Sequence, residues 1–156
     1  MQSNSLYNQD FNLWIETTIK QIRDRQFNQV DWEHLLEEIE TMGKSEKRSF
    51  VSNLMVLLAH LLKLKVQFDA PEFMKASWYG SIDEHRTRVK NDLLDNPSFR
   101  NYLAEEFLVQ AYKDARKLAI KEGQRANYGV RKPEEREYPI DCLFSLKEIL
   151  DDDYYN

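Results

Sequence analysis

Apolar residues recur at three- and four-residue spacing along most of this chain, the period of an amphipathic α-helix. Asp10 is placed to cap a first helix over about 11–25, with Phe11, Ile15, Thr18, Ile19 and Ile22 on one side. After the short connection Phe27 to Val30, Asp31 caps a second helix whose core stripe is Trp32, Leu35, Leu36 and Ile39. Gly43 is expected to end or kink it, since glycine is the usual residue at a helix C-terminus. A third helix restarts at Ser45-Glu46 and runs to about Gln67. Its main face is Phe50, Leu54, Leu57, Leu58, Leu61 and Leu62, and Val51, Leu64 and Val66 widen the apolar arc. A helix apolar on most sides is surrounded by others, so this one is expected at the centre.

Asp69-Ala70-Pro71 breaks the pattern. A fourth helix is predicted from about Lys75 or Ser77 to Leu94, with Trp78, Ile82, His85, Val89 and Leu93 in a row. Ser98 is the expected cap of a fifth helix reaching about Gly123. Residues 124–139 are polar, hold two prolines and a glycine, and read as an exposed loop or arm. Ser145-Leu146-Lys147-Glu148 has the spacing of a capping box and opens a short last helix. The pattern therefore predicts an all-α, antiparallel bundle of about five main helices with a short C-terminal one, in a single domain over 1–156.

Composition supports this. The 156 residues suffice for one core, and Gly and Pro number only 4 each, too few for turn-rich β architectures. The 22 basic and 27 acidic residues leave a net charge of −5, which argues against duplex nucleic acid as a partner. Cys142 is the lone cysteine, so no intramolecular disulfide forms and a cytoplasmic setting is expected. The start of the chain lacks the basic and apolar regions of a signal peptide. The most apolar run, Leu54 to Leu62, contains His60 and is followed by Lys63 and Lys65. Read against the ~20 apolar residues that span a bilayer, it is a buried helix, and no membrane association is expected.

Chemistry-bearing motifs are scarce. Glu37, Glu38 and Glu40 form an acidic segment that could hold a cation or a basic partner, but its ordinary reading is a solvated face paired with Lys44, Lys47 or Arg48. His60 shares a semi-polar side with Ser49, Asn53, Val56 and Lys63. His85 sits on the apolar stripe of the fourth helix, where an imidazole needs a hydrogen-bond partner. Trp78 and Arg86 of the same helix are further candidates. No Glu-x-x-His, His-Glu-x-x-His, cysteine pair or glycine-rich phosphate loop occurs, so no metal or cofactor is expected. The basic residues Arg86, Lys90, Arg100, Lys113, Arg116, Lys117 and Lys121 are diluted by acidic neighbours.

The segments DFNLWIE, DWEHLLEEIETMGKSEKR, LLAHLLK, SWYGSI, DNPSF, AYKDA and CLFSLKEILDDDY resemble a family of short bacterial proteins, common in photosynthetic bacteria, catalogued as domain of unknown function number 29. The resemblance covers about Leu6 to Tyr155. It departs at Leu143, where the family usually has Pro, and at Leu64, where it often has an aromatic. It implies an all-helical fold and supplies no activity or site.

The functional expectation is a non-enzymatic protein-interaction module, with the partner surface placed on the 124–139 arm around Tyr128, Arg131 and Tyr138. A homo-oligomer is a second possibility for the partner. The alternative is a metal-dependent or hydrolase-like enzyme using His60 or His85 with Glu37, Glu38 or Glu40. A third is weak nucleic-acid binding through the fourth and fifth helices.

Overall fold

A computed structural model of the chain describes residues 5–126 and 131–156. Its elements are helical throughout the described residues: α1 (Leu6–Gln9), α2 (Phe11–Arg23), α3 (Trp32–Val66), α4 (Glu72–Asp95), α5 (Phe99–Tyr102), a π-turn (Leu103–Phe107), α6 (Leu108–Gln124) and α7 (Leu146–Leu150). The all-α class and the short C-terminal helix follow the sequence pattern. By contacts the chain divides into two compact units, 1–46 and 47–156, with α3 contributing to each.

The first unit is a helical hairpin with a short helix before it. Asp10 caps α2 by accepting a hydrogen bond from the Leu13 N–H at 2.9 Å. Arg25, at φ 56°, turns the chain in the left-handed region just past the end of α2. Asp31 then accepts from the His34 N–H at 3.3 Å and starts α3. The expected break at Gly43 does not occur. Gly43 is exposed, a Cβ there would meet nothing within 4 Å among the described residues, and a solvated glycine inside a helix costs only ~1 kcal/mol relative to alanine. The second and third helices of the sequence pattern are therefore one 35-residue helix.

In the second unit the later part of α3 is the central element. Phe50, Leu54, Leu57, Leu58 and Leu61 are fully buried, in one cluster with Ile82 and Val89 of α4, Ala111 and Ala115 of α6 and Ile149 of α7. By length and composition α3 could also cross a membrane; 56% of its most apolar window is buried in this structure. The predicted fifth helix is interrupted by the π-turn. Ser98 does not cap it, because it already has helical angles (φ −61°, ψ −22°). The α7 capping box is present as predicted, with Ser145 Oγ accepting from the Glu148 N–H and the Glu148 carboxylate accepting from the Ser145 N–H.

The stretch read as an exposed arm is largely exposed where it is described, and it is anchored at Arg131, Pro133 and Tyr138. Tyr138 is 1% exposed, and Pro133 is buried. Arg131 pairs with Asp69 at 3.2 Å and Glu137 at 2.5 Å, and donates to the Val66 carbonyl at 3.1 Å. Tyr128 lies outside the described residues.

Candidate functional site

The acidic segment does not assemble a site. Glu37 and Glu40 are exposed. Glu38 is half-buried and accepts a hydrogen bond from the Tyr7 hydroxyl at 2.5 Å, which pushes the Tyr7 pKa up to about 12. The Tyr7 ring also stacks on His34 with centroids 4.0 Å apart. His34 Nδ1 lies 2.6 Å from Asp31 Oδ2, and that contact raises the His34 pKa. Tyr7 was not singled out in the sequence; its pairing with His34 crosses 27 positions and leaves no local signal.

His60 and His85 do come together, on facing turns of α3 and α4. Ser81 Oγ lies 3.4 Å from His60 Nδ1 and 3.3 Å from His85 Nδ1. This has the composition of a serine–base pair but not its chemistry. His60 Nδ1 is 2.8 Å from the Val56 carbonyl, and His85 Nδ1 is 2.8 Å from the Ser81 carbonyl. Each Nδ1 must therefore carry the proton it donates, and neither can take the Ser81 proton. Burial lowers the His60 pKa, which favours the neutral ring. Glu37, Glu38 and Glu40 belong to the other unit, and among the described residues no three His, Cys, Asp or Glu side chains could hold a metal ion.

Trp78 and Arg86 have structural partners. Trp78 is 7% exposed, with the Lys63 ammonium 5.6 Å from its ring centre. Lys63 is itself buried and paired with the Glu122 carboxylate, and burial pushes its pKa down to about 8. Arg86 is 1% exposed. Its Nε donates to the Ile149 carbonyl at 2.8 Å and its Nη2 to the Tyr154 carbonyl at 2.7 Å, so it ties the C-terminal segment to α4. Lys90 pairs with Asp152 at 2.9 Å, and Arg116 donates to the Tyr138 carbonyl at 3.1 Å. Three of the basic residues proposed to meet nucleic acid are thus turned toward the protein.

An apolar face lies open on the first unit. Between α2 and the start of α3 lies a groove of about 390 Å³, lined by Phe11, Ile15, Ile19, Leu35, Ile39 and Met42 among others. Trp32, Leu36 and Ile39, expected in the core, are 52%, 60% and 54% exposed. The helical period was read correctly, but among the described residues of this unit the helices that can cover α3 are α1 and α2. Trp14 and Thr18 take the covered side, and the remaining apolar arc of both helices faces outward.

The model of the family Domain of unknown function DUF29 matches residues 6–155, nearly the whole chain, and the chain belongs to that family. No curated protein and no solved structure matches it.

Proposed function

We propose that this member of the DUF29 family is a non-enzymatic protein-interaction module of the bacterial cytoplasm, and that it binds through the apolar face of its first unit. One observation carries this reading: two amphipathic helices present their apolar sides outward together. Isolated exposed apolar residues are ordinary, whereas a contiguous patch rimmed by polar residues is the mark of a binding surface. Trp32 adds the large, partly fixed aromatic that interfaces favour, its indole N–H donating to the Phe27 carbonyl at 2.9 Å. The lone Cys142 and the acidic charge balance support the cytoplasmic placement. The histidine pair does not favour the enzymatic alternative, because both Nδ1 atoms are committed to carbonyl oxygens.

A photo-crosslinking side chain at Leu36 tests this in cells producing the full chain. Discrete protein adducts at Leu36, absent when the probe is moved to the exposed α6 position Lys121, are expected. No adduct at Leu36 would overturn the reading.

A further inference from the structure

We propose that the occupant of this face is a second copy of the chain, with two α2–α3 hairpins closing into an antiparallel four-helix bundle about a two-fold axis. This rests on the preceding reading that the face binds protein, and it names the partner. The first argument is area. Phe11, Ile19 and Ile22 of α2 and Trp32, Leu36 and Ile39 of α3 are between 37% and 60% exposed. With roughly 200 Å² per large apolar side chain, they present about 600 Å² of apolar surface. A stable interface buries about 800 Å² per partner, of which some two-thirds is apolar in homodimers. The patch is therefore about the size that one copy of itself requires.

The second argument is symmetry and charge. A two-fold interface must be self-complementary. Helical phase puts Arg23 on the outer rim of α2, beside Ile19 and Ile22, and Glu33 on the outer rim of α3, beside Leu36. Both are at the same end of the hairpin, flanking the 24–31 connection. A two-fold axis parallel to the helices sets α2 of one copy over α3 of the other and brings Arg23 to the level of the partner's Glu33. The perpendicular choice stacks α2 antiparallel on α2 and leaves Arg23 and the partner copy's acidic rim at opposite ends, unpaired. Opposite charges at a rim fix register more than they add affinity, so this pair selects the first arrangement.

The test is sedimentation of the purified full-length protein across a concentration series. A mass of twice 18.7 kDa is expected for the natural sequence. Ile39→Glu places a charge in the apolar seam and is expected to weaken association about a hundredfold, leaving helicity unchanged because the side chain is exposed in the single chain. Arg23→Glu is expected to weaken it several-fold, and adding Glu33→Arg to restore it. A monomer at all concentrations overturns the proposal, as does a dimer indifferent to Ile39→Glu. A monomer that still gives Leu36 adducts with another protein sinks the homodimer alone; a monomer without adducts sinks the interaction reading as well.

Discussion

Substituting Gly123 probes the second unit at a single atom. Gly123 lies in α6 and is buried, and a Cβ there would overlap the Tyr138 hydroxyl. That hydroxyl is itself buried and has no hydrogen-bond partner among the described residues. Alanine gains ~1 kcal/mol over glycine in a helix, but forcing an atom into a filled site typically costs ~1–3 kcal/mol. Gly123→Ala alone is therefore expected to destabilise by about 1 kcal/mol. Tyr138→Phe removes both the obstacle and an unpaired polar group, whose burial costs ~1–3 kcal/mol, so it is expected to stabilise by about 1 kcal/mol. In the Tyr138→Phe background the next contacts of the new methyl are the ring carbon Cζ at 3.6 Å and Gln67 Oε1 at 3.8 Å, both ordinary van der Waals distances. There Gly123→Ala should stabilise by ~1 kcal/mol, reversing its sign. Urea unfolding followed by circular dichroism, run as a double-mutant cycle, should give a coupling of about 2 kcal/mol. Equal destabilisation by Gly123→Ala in both backgrounds would refute the packing argument.

Arg86→Met leaves the carbonyls of Ile149 and Tyr154 without their donor and should cost roughly 3–5 kcal/mol, with faster hydrogen exchange over 145–156. Unchanged exchange there would show that Arg86 is not the anchor. Two histidines should titrate in opposite directions by NMR, His34 above its ordinary 6.5 and His60 below it. The His34 contribution to stability is complete below 6.5 and is lost as pH rises through its folded value. That of neutral His60 is present above 6.5 and is lost as pH falls toward its folded value. Asp31→Asn should bring His34 back toward 6.5 and leave His60 alone. Arg25→Gly should raise stability by ~1 kcal/mol, because the left-handed angle at 25 no longer strains a side chain; a lower melting temperature would contradict this.

Local rules made the helices legible and stopped where distant partners decide. Asp10, Asp31 and Ser145 were readable as caps because a cap and the N–H that donates to it lie within three residues. The Leu-rich face of α3 was readable because a helix apolar on most sides has few other fates. Gly43 misled because a C-terminal signal acts only if the following residues abandon the helix, and Lys44 onward hold it. The composition of the 124–139 stretch is that of a loop, and composition carries no sign that Arg131 and Tyr138 are held by Asp69, Val66 and the ground around Gly123, some sixty or fifteen positions away. The His60–Ser81–His85 group depends on the register between α3 and α4, which no local pattern encodes. The stripe through Trp32, Leu36 and Ile39 was identified correctly as one apolar side. What the single chain could not reveal was whether its own residues would cover it.

The π-turn at Leu103–Phe107 carries a consequence for how this chain can change over evolutionary time. Phe99, Leu103, Phe107, Ala111, Ala115 and Ala119 face the core at an unbroken four-residue interval. An unmodified α-helix would rotate such a series by 40° at every step. The wider turn winds part of that rotation back and keeps Phe99 and Ala111 on the same side. Turns of this kind are formally a helix with one residue inserted. Losing any one of the exposed residues Ala104, Glu105 or Glu106 would leave a regular helix with both flanking segments still in phase. The same loss between Leu108 and Ala111 would instead swing Tyr112 and Ala115 off the core. Length variation within this helix among related sequences should therefore collect at these three positions.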